Sequence, residues 1–193
     1  MSEVATGGDG SGSGDGGNGA GDGGTSDSTF VLTSEGVADG ALLDAFKCEM
    51  KSMEDGSEAS IPLTWSGVPE GTGSLAITMH HYSNPADTDP SRANHYLELW
   101  DIDPTVTEIP HGDADDGPWF MGANKDNNVI SYTSPCSPSG QSAGHEYTIT
   151  IYALSETPAS LPTESSLDVT YSVMLEAIET VNVLGTAEIT FTD

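Results

Sequence analysis

Three runs of the chain alternate apolar and polar side chains: "SLAITMHH" from Ser74, "HYLELWDI" from His95 and "HEYTITIYAL" from His145. Alternation of period two sends successive side chains to opposite faces, so each run reads as a strand with one core-facing row. Shorter runs share the texture: "FVLT" at 30, "SIPLTW" at 60 and "AEITFT" at 187. Turn clusters such as "VPEGTG" and "HGDADDG" separate them. A chain punctuated in this way folds as a mostly β, mostly antiparallel domain. One stretch differs. "SSLDVTYSVMLEAIETVNVLG" places Leu167, Val173, Met174, Ala177, Ile178 and Val181 on one helical face. Ser165 or Ser166 is the expected N-cap, and Gly185 lies past the expected end.

Each of the three strong strands carries a histidine at the end of its core-facing row. His81 follows Leu75, Ile77 and Met79; His95 opens the row of Leu97 and Leu99; His145 opens that of Tyr147, Ile149 and Ile151. If the first two strands are antiparallel neighbours and the third runs parallel to the second, all three imidazoles meet at one sheet edge. The long connections there, "YSNPADTDPSRAN" and "SPCSPSGQSAG", would wall a pocket. A single histidine in this position ordinarily caps the core; three together point to a site. His80 faces away from His81, and His111 lies in an acidic loop, so both are expected at the surface.

Charge narrows the partners. The chain holds 31 Asp and Glu against four bases, Lys47, Lys51, Arg92 and Lys125, for a formal charge of −27. Nucleic-acid backbones and anionic membrane surfaces both require clustered Lys and Arg, so neither is an expected partner. An acidic surface of this kind stays soluble by self-repulsion and suits a salty medium that screens it. Residues 1–29 are rich in Gly, Ser and Asp with almost no large apolar side chain, which predicts a disordered tether ahead of a domain at 30–193. Such a tether fits an extracytoplasmic protein, lipid-anchored or secreted by a bacterium; the alternative is a cytoplasmic chain with a solubilising extension. Cys48 and Cys136 either bridge, as in an exported protein, or lie as two buried thiols. No apolar run is long enough to span a bilayer. Nothing in the sequence bears on oligomeric state.

The order and spacing of five pieces resemble the phosphatidylethanolamine-binding protein (PEBP) family, in its bacterial Raf-kinase-inhibitor-like branch. They are "SIPLTWSGVPEGTGSLAITM", "NHYLELWDID", "MGANKDNNVISYTSPCSPSG", "GHEYTITIYAL" and the late helix. The resemblance implies a central antiparallel sheet, a smaller second sheet and a peripheral helix. It also implies a small anion pocket at the sheet edge, where relatives hold phosphate-like head groups or acetate with histidines and backbone N–H groups. The family's strand-opening histidine matches His95, and its His-x-Tyr strand start matches His145 and Tyr147. Its Pro-Pro-x-Gly loop matches Ser137, Pro138, Ser139 and Gly140, and its Gly-x-Asn turn matches Gly122 and Asn124. One segment departs. Aligned on Pro85, His81 and Ser83 stand where the family has the two aspartates of Asp-Pro-Asp-x-Pro.

The expected function is therefore a small-anion or phospho-head-group binding module, with His81, His95, His145, Tyr147, Pro138, Gly140 and Asn124 as ligand-binding residues. Imidazoles and the amides of a "PSG" loop can bind an anion locally within a globally acidic protein. The alternative is a metal site, zinc or copper, of His81, His95 and His145 with an open fourth position. No cofactor is expected. Neither is enzymatic activity: Cys136 near His145 lacks a nucleophile signature. Asp113, Asp115 and Asp116 read as a solvated acidic turn, since the calcium-loop order of Gly and distal Glu is absent.

Overall fold

In the computed structural model, residues 29–50, 58–136 and 144–193 are described. The expected tether lies outside them except for Thr29. Among the described residues, ten strands and one α-helix follow in chain order. These are β1 (Val31–Thr33), β2 (Val37–Ala38), β3 (Ala41–Leu42), β4 (Leu63–Ser66), β5 (Ser74–His81), β6 (Asn94–Ile102), β7 (Glu108–Ile109), β8 (Phe120–Met121), β9 (Glu146–Leu154), α1 (Tyr171–Ile178) and β10 (Val183–Thr192). A seven-stranded sheet has the order β2-β3-β10-β9-β5-β6-β8, and a three-stranded sheet the order β1-β4-β7. Only the β10–β3 pairing is parallel among the described strands.

Strand β5 lies between β6 and β9, both antiparallel to it. The start of β6 and the start of β9 therefore flank the end of β5, as the sequence pattern requires for a shared edge. Leu75, Ile77, Met79, Leu97, Leu99, Ile149 and Ile151 form the inner face and pack against Leu32, Leu63, Trp65 and Ile109 of the small sheet. The outer face of the large sheet is also covered. Ala76, Trp100 and Leu154 pack there against Met174, Ala177 and Ile178 of α1. β5 is buried on both faces from Ser74 to Met79, polar Ser74 and Thr78 included.

The helix is shorter than its periodicity predicts. Ser166 donates its backbone N–H to Met121 O, and its hydroxyl accepts from Asp168 N at 3.2 Å. The Ser165 hydroxyl accepts from Met121 N at 3.0 Å. Both expected N-caps are thus spent tying the approach to α1 onto β8, and Leu167 and Val173 are left exposed. Thr170 is the N-cap instead, and its side chain makes no capping bond. At the other end Gly185 belongs to β10, where an irregularity in the β9 pairing brings it against Pro69; a Cβ there would lie 2.9 Å from Pro69 Cγ.

Cys48 and Cys136 are joined in a disulfide across a sequence separation of 88. Cys48 N also donates to Pro135 O, so the two segments meet through a hydrogen bond as well as the bridge.

Candidate functional site

Period two places His95 on the face of Leu97, but the strand breaks that period. Met79 pairs with Leu97 and His80 pairs with His95, leaving Tyr96 as an extra residue in β6. This is a β-bulge, in which two residues of one strand oppose one of its partner. Tyr96 and Leu97 both join the inner core, and His95 is turned to the outer face, opposite His80. The three-histidine convergence is therefore not formed. His81 and His145 come together, with ring centroids 5.0 Å apart, and Tyr96 takes the place expected for His95.

The resulting cluster is compact. Tyr96 Oη lies 3.0 Å from His81 Nδ1, and the two rings are 5.6 Å apart. Tyr147 is directly opposite His81 in the β5–β9 register, its ring 5.0 Å from that imidazole and 5.1 Å from Tyr96. Phe191 stacks on the far side of Tyr147 at 5.7 Å, holding the phenol in place. These rings open onto a cavity of about 310 Å³ lined by His81, Ser83, Asn94, Tyr96, Lys125, Cys136, His145 and Tyr147. Asn94 Nδ2 donates to Ser83 Oγ at 2.9 Å, joining the two sides of the mouth. In a chain with 31 acids, no Asp or Glu is among the described residues lining this cavity.

Burial sets the protonation states. His81 is pushed down to about 4, first by desolvation and then by the neighbouring His145, so it is neutral at pH 7. Tyr147 is pushed up to about 12 by burial, reinforced by the charge of Asp193, and burial also raises Tyr96. Asp193 stands behind the site, its carboxylate accepting from His145 N at 3.2 Å. The cavity thus presents the neutral His81 imidazole and the Tyr96 and Tyr147 hydroxyls, beside His145 and Lys125.

The other predicted residues fall elsewhere. Pro138 and Gly140 lie outside the described residues. Asn124 does not line the cavity; its side chain accepts from Asn128 N and Val129 N, shaping the turn that carries Lys125. Gly122 permits a close approach, since a Cβ there would lie 2.3 Å from Val169 O. His111 is exposed as expected and pairs with Glu49 at 2.8 Å. His80 is not a surface residue: it is half-buried and stacked on Tyr171 at 4.3 Å, because α1 covers the outer face there. Among the described residues no group of three or more His, Cys, Asp or Glu is placed to hold a metal ion. Sequence reasoning missed Tyr96, Asn94, Ser83 and Lys125 as lining residues. The bulge leaves no trace in hydrophobic periodicity, though Tyr96 and Asn94 flank the predicted His95.

Comparison with known proteins bears on the family and the fold. The family model described as phosphatidylethanolamine-binding protein matches residues 33–192. The Escherichia coli UPF0098 protein YbcL is 32% identical over 168 residues, covering 84% of this chain and 83% of YbcL. A UPF0098 protein of Methanothermobacter thermautotrophicus is 33% identical over 139 residues, covering 70% of this chain and 82% of its own. The crystal structure of YbcL superimposes with a TM-score of 0.64 at 26% identity, over 84% of this chain and 96% of YbcL. A Chlamydia trachomatis protein described as a putative PEBP homolog gives a TM-score of 0.65 at 25% identity, over 85% of this chain and 96% of its own.

Proposed function

Because this chain belongs to the phosphatidylethanolamine-binding protein family, we propose that it binds a small anion, of the carboxylate or phosphate head-group type, between His81, Tyr96, His145 and Tyr147. The observation that carries this reading is the gathering of His81, Tyr96, His145, Tyr147 and Lys125 around one cavity in a chain of charge −27, with Asp193 held behind the lining against His145 N and Tyr147. When the Tyr96 hydroxyl donates to His81 Nδ1, His81 Nε2 keeps its proton and serves as a donor. Such donors bind anions through hydrogen bonds, which strengthen as water is excluded. The replacement of the family's aspartate by His81 removes a repulsive charge from the site. Long-range repulsion by the rest of the chain opposes entry, so association is faster at moderate salt than at low salt.

Titration of acetate, inorganic phosphate and phosphoethanolamine into the full chain by calorimetry tests the assignment. His81→Ala and Tyr147→Phe are expected to weaken binding by about tenfold each, the loss of one charge-assisted hydrogen bond. Undiminished affinity in both variants would remove the site from this cavity. Zinc titrated in parallel is expected to leave the His95 ring unperturbed, since His95 faces the opposite side of the sheet.

A further inference from the structure

Cys136 lines the His81 cavity, but Cys48, its partner in the disulfide, is not among the described lining residues. The bridge thus has one residue in the cavity wall and one outside it, and both are exposed. Exposed disulfides are the labile ones, open to an external thiolate. Cys48 also holds a left-handed backbone, at φ 53°, a region that crowds any residue with a Cβ. The charged groups around the two sulfurs differ. Cys136 shares the cavity lining with Lys125, His81 and His145 and with the phenols of Tyr96 and Tyr147. Behind that lining, the Asp193 carboxylate accepts from His145 N. On the approach to Cys136, Glu58 accepts from Ser134 N, with Asp126 and Lys125 acting on its carboxylate in opposite senses. Beside Cys48 the charges are paired, Lys47 with Asp44 at 3.0 Å and Glu49 with His111 at 2.8 Å.

Thiol–disulfide exchange is faster when the leaving sulfur is the more acidic thiol, and neighbouring Lys and His groups favour thiolate over thiol. An incoming thiolate therefore attacks the Cys48 sulfur from outside the cavity, and Cys136 leaves with the electron pair into the lining it shares with Lys125. We infer that, given the anion reading of the His81 cavity, the Cys48–Cys136 bridge is a redox gate on it, opened by a small dithiol and closing the cavity to anions once the Cys136 thiolate takes up its donors. The first sulfur of the dithiol forms a mixed disulfide with Cys48. Its second thiolate then displaces Cys48, and the dithiol departs as a cyclic disulfide. The dithiol gives up two electrons and two protons; the bridge gains both electrons, Cys48 takes one proton, and the other passes to solvent while Cys136 stays ionised. A dithiol without carboxylates suits a chain of charge −27, which repels acidic thiols. Anion binding and reduction then oppose each other, and linkage requires that each weaken the other by the same factor.

Calorimetric titration of acetate and inorganic phosphate into the full chain, oxidised or reduced with dithiothreitol, tests the gate between pH 6 and pH 9. Reduction is expected to weaken binding by about tenfold at pH 9, and by less towards pH 6 as the thiolate takes up its proton. Cys48→Ser, which keeps the Cys136 thiol, should show the same pH dependence under dithiothreitol. Cys136→Ser, which keeps only the Cys48 thiol, should not. Both variants lack the bridge, so a purely structural role for it moves them together. In the native chain, saturating acetate is expected to shift the dithiothreitol redox titration about tenfold towards the more reducing ratio, with freed thiols counted by alkylation. That arm needs no variant, so it decides the matter even if a serine variant fails to fold. An oxidised chain that takes up neither acetate nor phosphate overturns the anion reading and the gate with it. Equal affinity in the two redox states, an unshifted redox titration, or the same pH dependence in both single variants overturns the gate alone and leaves the anion reading standing.

Discussion

Glu98 sits in β6 with its side chain wholly buried, and neither carboxyl oxygen has a hydrogen-bond partner among the described residues. It pairs with Thr78, whose hydroxyl is likewise unpartnered, beneath the outer layer that α1 provides. Desolvation raises the Glu98 pKa well above its ordinary value of 4.5, so the carboxyl is held neutral. The unfolded chain releases that proton near pH 4.5, whereas the folded chain retains it. Stability attributable to Glu98 therefore falls as pH rises above about 4.5, by about 1.4 kcal/mol per pH unit until the folded pKa is reached. Glu98→Gln keeps the shape and removes the titration. The difference in unfolding free energy between the variant and the native chain is expected to grow in favour of glutamine from pH 4 to pH 7, measured by urea denaturation. His80 and His81, both lowered to about 4, act in the opposite direction. They cost stability as pH falls from about 6.5 towards 4, and they cancel in the comparison because both proteins carry them. Parallel pH profiles would show that Glu98 ionises in the folded chain.

At the scale of elements, the contrast between strands and the segments around them separates what the sequence reveals from what it conceals. β5, β6 and β9 were legible because alternation and apolar content agree over eight or nine residues. The meeting of His81 with His145 follows from that register alone. The position of His95 does not: one bulged residue exchanges Tyr96 for His95 in the cavity, and side-chain periodicity has no signal for an inserted residue. The start of α1 was obscured for a related reason. Serines suited to capping instead hydrogen-bond to β8 and to the turn before the helix, a tertiary preference that local pattern cannot express. Gly122 is the contact point of these elements, since it donates to Glu98 O at 2.8 Å while Val169 O approaches its α-carbon. A methyl group there would meet Val169 O at 2.3 Å and Glu98 Cβ at 2.9 Å. Gly122→Ala is expected to destabilise the fold by about 1–3 kcal/mol through overpacking, read from the urea midpoint at constant m-value. A neutral result would mean that β8 and the approach to α1 separate without cost.

For the molecule as a whole, a charge of −27 favours expansion, because spreading like charges apart lowers their repulsion. The Cys48–Cys136 bridge opposes that expansion by closing a span of 88 residues, which removes conformational freedom from the unfolded chain. It acts alongside local contacts: the Ser134 hydroxyl donates to Phe46 O at 3.0 Å and Ser134 N donates to the Glu58 carboxylate. Because Cys136 also lines the His81 cavity, the bridge links global stability to the binding edge. We propose on this basis that the protein works in an oxidising, extracytoplasmic setting, where such a bridge persists. Replacing both cysteines by serine is expected to cost about 2–4 kcal/mol in unfolding free energy. It should also weaken acetate or phosphate binding at the His81 cavity, which Cys136 borders. Added sodium chloride should recover part of the stability, by screening the repulsion that the bridge had restrained, and none of the lost affinity. Wild-type stability and affinity in the double variant would show that the hydrogen bonds of Ser134 suffice to hold this edge without the covalent link.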